Sequence, residues 1–336
     1  MQSPADTGIS SSFPPCGVPA FRVIDERLGE VKELLDEQLT ACNESVSRLL
    51  RRINIQSGKM IRPGLVLLAG SACGKVTDKH IRVATIVEMT HNATLLHDDV
   101  IDEGRKRRGL ATINSLYGNE SAVLLGDFLL GQVFKMCAAL EPEITRVIAA
   151  TAVRVCEGEL RQVLQRRNWQ LDESEYIDII TEKSAALFGS CCYLGGLLAK
   201  ANEAQLKSLA DFGLNTGIAF QITDDLLDII GDESKTGKTL GSDVNKHKLT
   251  LAVIHLLRVV REKEKNSVVD ELDAAGADKE VLVKMLRSYG SLEYAHGRAQ
   301  EFVGKAIQAL ADLKESDAKN GLIGTAKFVA DRVTIS

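Results

Sequence analysis

Apolar residues fall at helical spacing along almost all of this chain after residue 20. Leu28, Val31, Leu34, Leu35 and Leu39 form one stripe, and Ile81, Ala84 and Val87 begin another. Spacings of three and four put such residues on one face of an α-helix. Stretches 121–140, 144–164, 174–198, 203–230, 249–263, 279–289 and 292–313 carry the same period, while β-branched alternation between turns is scarce. Pro4, Pro14, Pro15 and Pro19 crowd the start, and no proline follows Pro142, so long helices can run uninterrupted. The pattern predicts an all-α fold, a single large helical bundle domain of ten or more helices over residues 21–336. Residues 1–20, rich in Ser, Pro and Gly, read as a disordered leader.

Two clusters of like charge break the apolar runs. Asp98, Asp99 and Asp102 form one, and Asp224, Asp225 and Asp228 form the other, with identical internal spacing. Carboxylates three and four residues apart share a helix face and repel one another. The arrangement therefore calls for cations, and two such faces looking across a central cavity suit Mg²⁺. That ion takes one or two carboxylates and fills its remaining positions with water or phosphate oxygens. Soon after the first cluster comes Arg105-Lys106-Arg107-Arg108-Gly109, and upstream stands Gly58-Lys59-Met60-Ile61-Arg62-Pro63. Guanidinium forks beside acids make sense when phosphate meets the one and metal the other.

Composition narrows the class. With 46 acids against 41 bases, the net charge of −5 argues against a nucleic-acid partner. Seven cysteines, an odd number without zinc or disulfide spacing, indicate buried thiols in a reducing compartment, hence a cytoplasmic location. No basic-then-apolar signal segment opens the chain, and no uncharged apolar run reaches the ~20 residues that span a bilayer.

Taken in order, these residues resemble the trans-isoprenyl diphosphate synthase (polyprenyl synthase) family from about Phe21 to the C-terminus. The landmarks are Gly58-Lys59-x-x-Arg62-Pro63, His91, Leu95-Leu96-His97-Asp98-Asp99-x-x-Asp102, Arg107-Arg108-Gly109 and Gly126-Asp127-Phe128-Leu129. Gly158-Glu159-x-x-Gln162, Lys183-Ser184-Ala185, Phe220-Gln221-x-x-Asp224-Asp225-x-x-Asp228 and the lysine-rich loop 237–248 follow. The resemblance implies an isoprenoid-synthase bundle that joins isopentenyl diphosphate to an allylic diphosphate, with Mg²⁺ as cofactor. In that family an allylic diphosphate leaves, isopentenyl diphosphate attacks the resulting cation, and the departing diphosphate takes the proton.

By resemblance, Asp98, Asp102 and Asp224 would be metal ligands, and Asp99, Asp225 and Asp228 would bind or orient metal-bound water. Arg107, Lys183 and Lys238 would hold the allylic diphosphate. Lys59, Arg62, His91 and Arg108 would hold isopentenyl diphosphate, Lys248 would complete the substrate-binding loop, and Gln221 would line the space near the cation. Gln162 and His97 have duller readings, as a surface residue and a packing residue. Three positions depart from the pattern: Met60 where an arginine is common, His247 for a usual glycine and Ala252 for a usual proline.

The family stops chain growth with bulky residues four and five places before the first aspartate. Here Ala93 and Thr94 are small, which implies a product of geranylgeranyl length or longer, about six to ten units; the deeper floor candidates are Met89, Thr90, Phe128, Phe134 and Met136. The resemblance also implies a homodimer and a peripheral membrane contact for release of an oily product. Competing readings are a non-catalytic subunit of a heteromeric synthase, and a di-iron carboxylate bundle built on Glu88-x-x-His91 and Glu293-x-x-His296. A terpene cyclase would lack the Gly58–Pro63 motif.

Overall fold

The structure, a computed structural model, describes residues 18–40, 42–53, 58–231, 246–273, 279–333 and 335. After a 3₁₀ turn (Pro19–Ile24) come α1 (Asp25–Thr40), α2 (Glu44–Ile53), α3 (Ile61–Cys73) and α4 (Asp78–Ile101). A two-stranded hairpin, β1 (Lys106–Arg107) against β2 (Leu110–Ala111), precedes α5 (Ile113–Tyr117), α6 (Asn119–Cys137), α7 (Pro142–Leu164) and α8 (Glu173–Ile180). A π-helical segment (Thr181–Ala185) leads into α9 (Ala186–Leu198), and α10 (Glu203–Ile230) follows. The chain ends with α11 (Leu251–Val259), α12 (Glu262–Asp273), α13 (Lys279–Ser288), α14 (Ser291–Ala309) and α15 (Asp317–Ala330). The all-α expectation holds.

The two longest helices, α4 and α10, start with side-chain caps. The Asn202 side chain accepts from the Gln205 amide at 2.9 Å, and Gln205 Oε1 accepts from the Asn202 amide at 3.0 Å, a reciprocal cap that opens α10. The Thr77 amide donates to His80 Nδ1 at 3.1 Å at the start of α4. Packing of α10 on α9 and α14, of α3 on α9, and of α4 on α6 forms one apolar core. Gly126 lets α6 approach α4, since a Cβ there would stand 2.2 Å from the His97 ring. His97 Nε2 meets the Val123 carbonyl at 3.2 Å, so this histidine is a packing and hydrogen-bonding residue.

Three expectations shift. The expected helix 174–198 is three pieces, because the π segment inserts between α8 and α9. Stretch 249–263 breaks at Val260, whose backbone is extended. The expected leader 1–20 lies outside the described residues apart from its last three; of these Val18 is sealed in the core and Pro19 opens the 3₁₀ turn, so order begins earlier than composition suggests. Cys137, Cys191 and Cys192 are buried as expected, but Cys156 is exposed. Among the described residues no helix is long and apolar enough to cross a membrane.

Candidate active site

Both aspartate clusters stand at the C-terminal ends of the two long helices. Asp98 and Asp99 lie in the last turn of α4 and Asp102 caps it, while Asp224, Asp225 and Asp228 close α10. Helix dipoles are negative there, so carboxylates at these ends are doubly unfavourable without cations. The protein supplies several. Arg107 donates from Nε to Asp99 Oδ1 at 2.9 Å and places Nη2 2.7 Å from the same oxygen. Lys248 Nζ donates to Asp102 Oδ2 at 2.8 Å, and Arg166 Nη2 donates to Asp102 Oδ1 at 3.3 Å. Arg332 Nη2 donates to Asp224 Oδ1 at 3.2 Å.

The hairpin explains the basic run. Arg108 and Gly109 both take positive φ, 51° and 78°, as a tight two-residue turn requires. The turn folds Arg107 back onto Asp99. Asp98, Asp99 and Asp224 all raise the pKa of Arg107, against its burial, so carboxylates of both clusters act on this guanidinium. Burial pushes the Asp98 carboxyl up to about 6, opposed by Lys183. Asp102 is also penalised by burial, but Lys248 outweighs that and holds its pKa below the usual carboxylate value.

Lys183 sits on the π segment, a helix form frequent at functional sites. Its Nζ lies 2.5 Å from Glu159 Oε2 and donates to Gln162 Oε1 at 2.7 Å. Burial would lower its pKa, yet Glu159 and Asp98 prevail and raise it. From the neighbouring residue a relay crosses to the second cluster. Ser184 Oγ donates to Gln221 Oε1 at 2.6 Å, and Gln221 Nε2 donates to Asp225 Oδ1 at 2.7 Å. Tyr176 donates its hydroxyl to Asp225 Oδ2 at 2.7 Å. Gln221 thus fixes an aspartate.

A second group of cations gathers at the start of α3. Arg62 lies over the rings of Phe188, at 4.8 Å, and Phe220, at 5.9 Å, and burial lowers its pKa. Lys59 lies 4.9 Å over the Phe328 ring, its pKa lowered by burial and by nearby Arg332. Arg332 itself covers Phe220 at 4.8 Å, and its Nη1 is buried without a hydrogen-bond partner. Arg108 packs against Gly58, where a Cβ would stand 3.0 Å from Nη2. Beneath them Glu88 is buried, which raises its pKa against the pull of Arg62 and Arg108. His91 is half-buried on α4, two turns before Asp98. Lys238 falls outside the described residues.

The family model described as polyprenyl synthetase matches residues 43–289. The chain belongs to the polyprenyl synthetase family. Such enzymes are prenyltransferases. The synthetase is 34% identical over 299 residues to octaprenyl diphosphate synthase of Escherichia coli, covering 88% of this chain and 93% of that one. It is 34% identical over 312 residues to geranylgeranyl pyrophosphate synthase of Geoglobus acetivorans, at 90% and 95% coverage. A solved decaprenyl diphosphate synthase from Rhodobacter capsulatus superposes with a TM-score of 0.84 at 33% identity, over 94% of this chain and 99% of its own. A Caulobacter crescentus polyprenyl synthase, complexed with calcium and isoprenyl diphosphate, gives 0.89 at 27% identity, with 95% and 99% covered.

Several expected positions of the synthetase need redrawing. Phe134 is 71% exposed on the outer side of α6, so it does not floor a cavity within one chain. The α6 residues turned inward include Leu129, Val133 and Met136, three to four apart, and Phe134 is off that stripe. Ala93, Met89, Thr90 and Met136 are buried and Thr94 half-buried, as a tunnel wall would need. Thr94 Oγ1 donates to its own helix at the His91 carbonyl, 2.8 Å, which satisfies its polar group. His247, where a glycine is usual, holds φ 53°, the left-handed conformation in which glycine is unstrained. Met60, where an arginine is common, is buried in the core at φ 50°. Glu293 is exposed, and His296 pairs with Gln300, so that Glu-x-x-His is a surface feature. Sequence reasoning gave no role to Arg166, Tyr176 or Arg332. The Gly158–Gln162 motif did signal Glu159.

Proposed function

We propose that this polyprenyl synthetase condenses isopentenyl diphosphate with an allylic diphosphate, head to tail and in the trans sense, in a Mg²⁺-dependent reaction. The observation that carries the reading is Arg107, a guanidinium bound to Asp99 and acted on by both aspartate clusters. A set of hard carboxylate oxygens fits Mg²⁺, with no three ligating side chains closing on one point among the described residues. That suits an ion that takes one or two carboxylates and completes its shell from water and diphosphate. Asp98, Asp102 and Asp224 would hold the metal, with Asp225 and Asp228 oriented beside them. When bound, Mg²⁺ supplies positive charge against the departing diphosphate.

The rest is the protein's own work. Arg107 and Lys183 present N–H donors to the allylic diphosphate, and Lys59, Arg62, His91 and Arg108 hold the isopentenyl diphosphate. The second group of cations gathers around the buried Glu88, whose charge acts on Arg62 and Arg108. Lys248 completes the first cluster by neutralising Asp102, and Lys238 is assigned to the allylic side on the family pattern alone. The departing diphosphate accepts the proton lost from the condensed product, and Gln221 steadies Asp225 while charge develops.

Ala93 and Thr94 leave room below the site, so the product is geranylgeranyl or longer. The named relatives make products from geranylgeranyl to decaprenyl, consistent with that range. Outward apolar residues on α6 (Val123, Leu124, Phe134) and α7 (Val153, Leu160, Leu164) support a homodimer. A single domain over 21–336, a cytoplasmic location and a transient membrane contact for product release complete the reading. The test is incorporation of labelled isopentenyl diphosphate with Mg²⁺ by wild type, D98N and D224N. Metal-dependent incorporation lost by about a thousandfold or more in both variants is expected; retained activity in either variant contradicts the metal assignment.

A further inference from the structure

An ammonium carries three N–H donors. Lys183 spends two of them inside the protein, on Glu159 Oε2 at 2.5 Å and on Gln162 Oε1 at 2.7 Å. One donor remains beyond these two contacts, and Asp98 and Asp102 lie close enough to Lys183 for their charge to act on it. Both acceptors come from α7, at positions three apart on one face. At this motif α7 meets the π segment so closely that a Cβ on Gly158 would lie 2.3 Å from the Lys183 amide nitrogen. The pair is mostly buried, with side-chain exposures of 15% and 14%, and Glu159 Oε1 is buried without a hydrogen-bond partner.

A lysine meant only to attract diphosphate would be left unpaired. A carboxylate in contact with it cancels much of its field while leaving one N–H to donate. Polyprenyl transfer releases pyrophosphate at each addition, so a site that grips the anion too firmly stalls. We propose that Glu159 damps the charge of Lys183 and thereby sets how readily pyrophosphate leaves, with Gln162 aiming the remaining donor. Glu159 is a positioning residue, acting through Lys183. This rests on the reading of the Lys183 side as the diphosphate site.

The test is calorimetric titration of full-length protein with inorganic pyrophosphate in Mg²⁺, together with steady-state kinetics. E159Q keeps an acceptor for Lys183 and removes the negative charge, so pyrophosphate binds on the order of tenfold tighter. The KM for the allylic diphosphate falls, and so does kcat. Q162L removes an acceptor without changing charge, and its pyrophosphate affinity stays level or drops. E159D, which keeps the carboxylate but withdraws it, shifts affinity the same way as E159Q by a smaller factor and serves if E159Q does not fold. Unchanged or weaker pyrophosphate binding in E159Q or E159D overturns the inference, since a purely structural partner of Lys183 would lose affinity when altered. Wild-type protein that binds no pyrophosphate in Mg²⁺ overturns the diphosphate site itself, a separate result.

Discussion

Arg332, just past the end of α15, reaches back to Asp224 on α10 with 3.2 Å between Nη2 and Oδ1. Its guanidinium lies over Phe220, and its other terminal nitrogen is buried with no partner. Lys59 is close enough for its charge to be felt. R332A should raise the KM for isopentenyl diphosphate by about tenfold while changing kcat less, the loss of one charge-assisted hydrogen bond. Steady-state kinetics with each substrate varied separately distinguishes this from a general loss of fold.

The carboxyl of Asp98 has a sign that can be worked out. Its ordinary value is 3.8 and burial lifts it to about 6 in the folded protein. Between those pH values the folded state holds a proton that the unfolded state has lost. Stability therefore falls as pH rises through this window, and the penalty is complete above 6. Metal-free D98N should melt at higher temperature than metal-free wild type at pH 8, with the gap closing at pH 4. Thermal melts in chelator at the two pH values check this; a lower melting temperature for D98N at pH 8 contradicts it.

Tyr176 is buried and gives its hydroxyl to Asp225. Y176F leaves one carboxylate oxygen without that donor and should cost about 1–2 kcal/mol of stability. Its kcat should drop several-fold with KM little changed, because Asp225 is then held by Gln221 without the tyrosine. Denaturant melts and kinetics on the same preparation measure both.

The aspartate clusters were legible because their spacing clashes with the apolar period around them. A helix face that gathers three like charges has no structural use. Lys183 was legible as part of a motif, but the π segment that aims it was not, since no local composition marks an extra residue in a helical turn. Arg332 carried no signal: a lone arginine near the end of the sequence is found only when α15 is docked against α3 and α10. Phe134 failed for the opposite reason. Its bulk suggested a floor, whereas the stripe Leu129, Val133 and Met136 already showed which side of α6 faces inward. The side of a helix outranks the size of a residue.

That outward phenylalanine makes its own prediction. F134D places a charge in the exposed apolar face of α6 and should shift the proposed homodimer to monomer, read by light scattering at micromolar concentration. A dimer that survives contradicts the use of α6 as the interface.

Product length probes the room beneath Asp98. T94F and A93F add a ring about one turn below the carboxylates proposed to bind metal, and each should shorten the final product by at least one isoprene unit with incorporation of the first unit retained. Chromatography of the hydrolysed products reads the change.

The most direct measurement is the product profile of the wild-type enzyme given Mg²⁺, labelled isopentenyl diphosphate and a farnesyl diphosphate primer. The account predicts metal-dependent products of geranylgeranyl length or longer, absent when the metal is chelated. A folded protein that adds no unit to any allylic primer would contradict it.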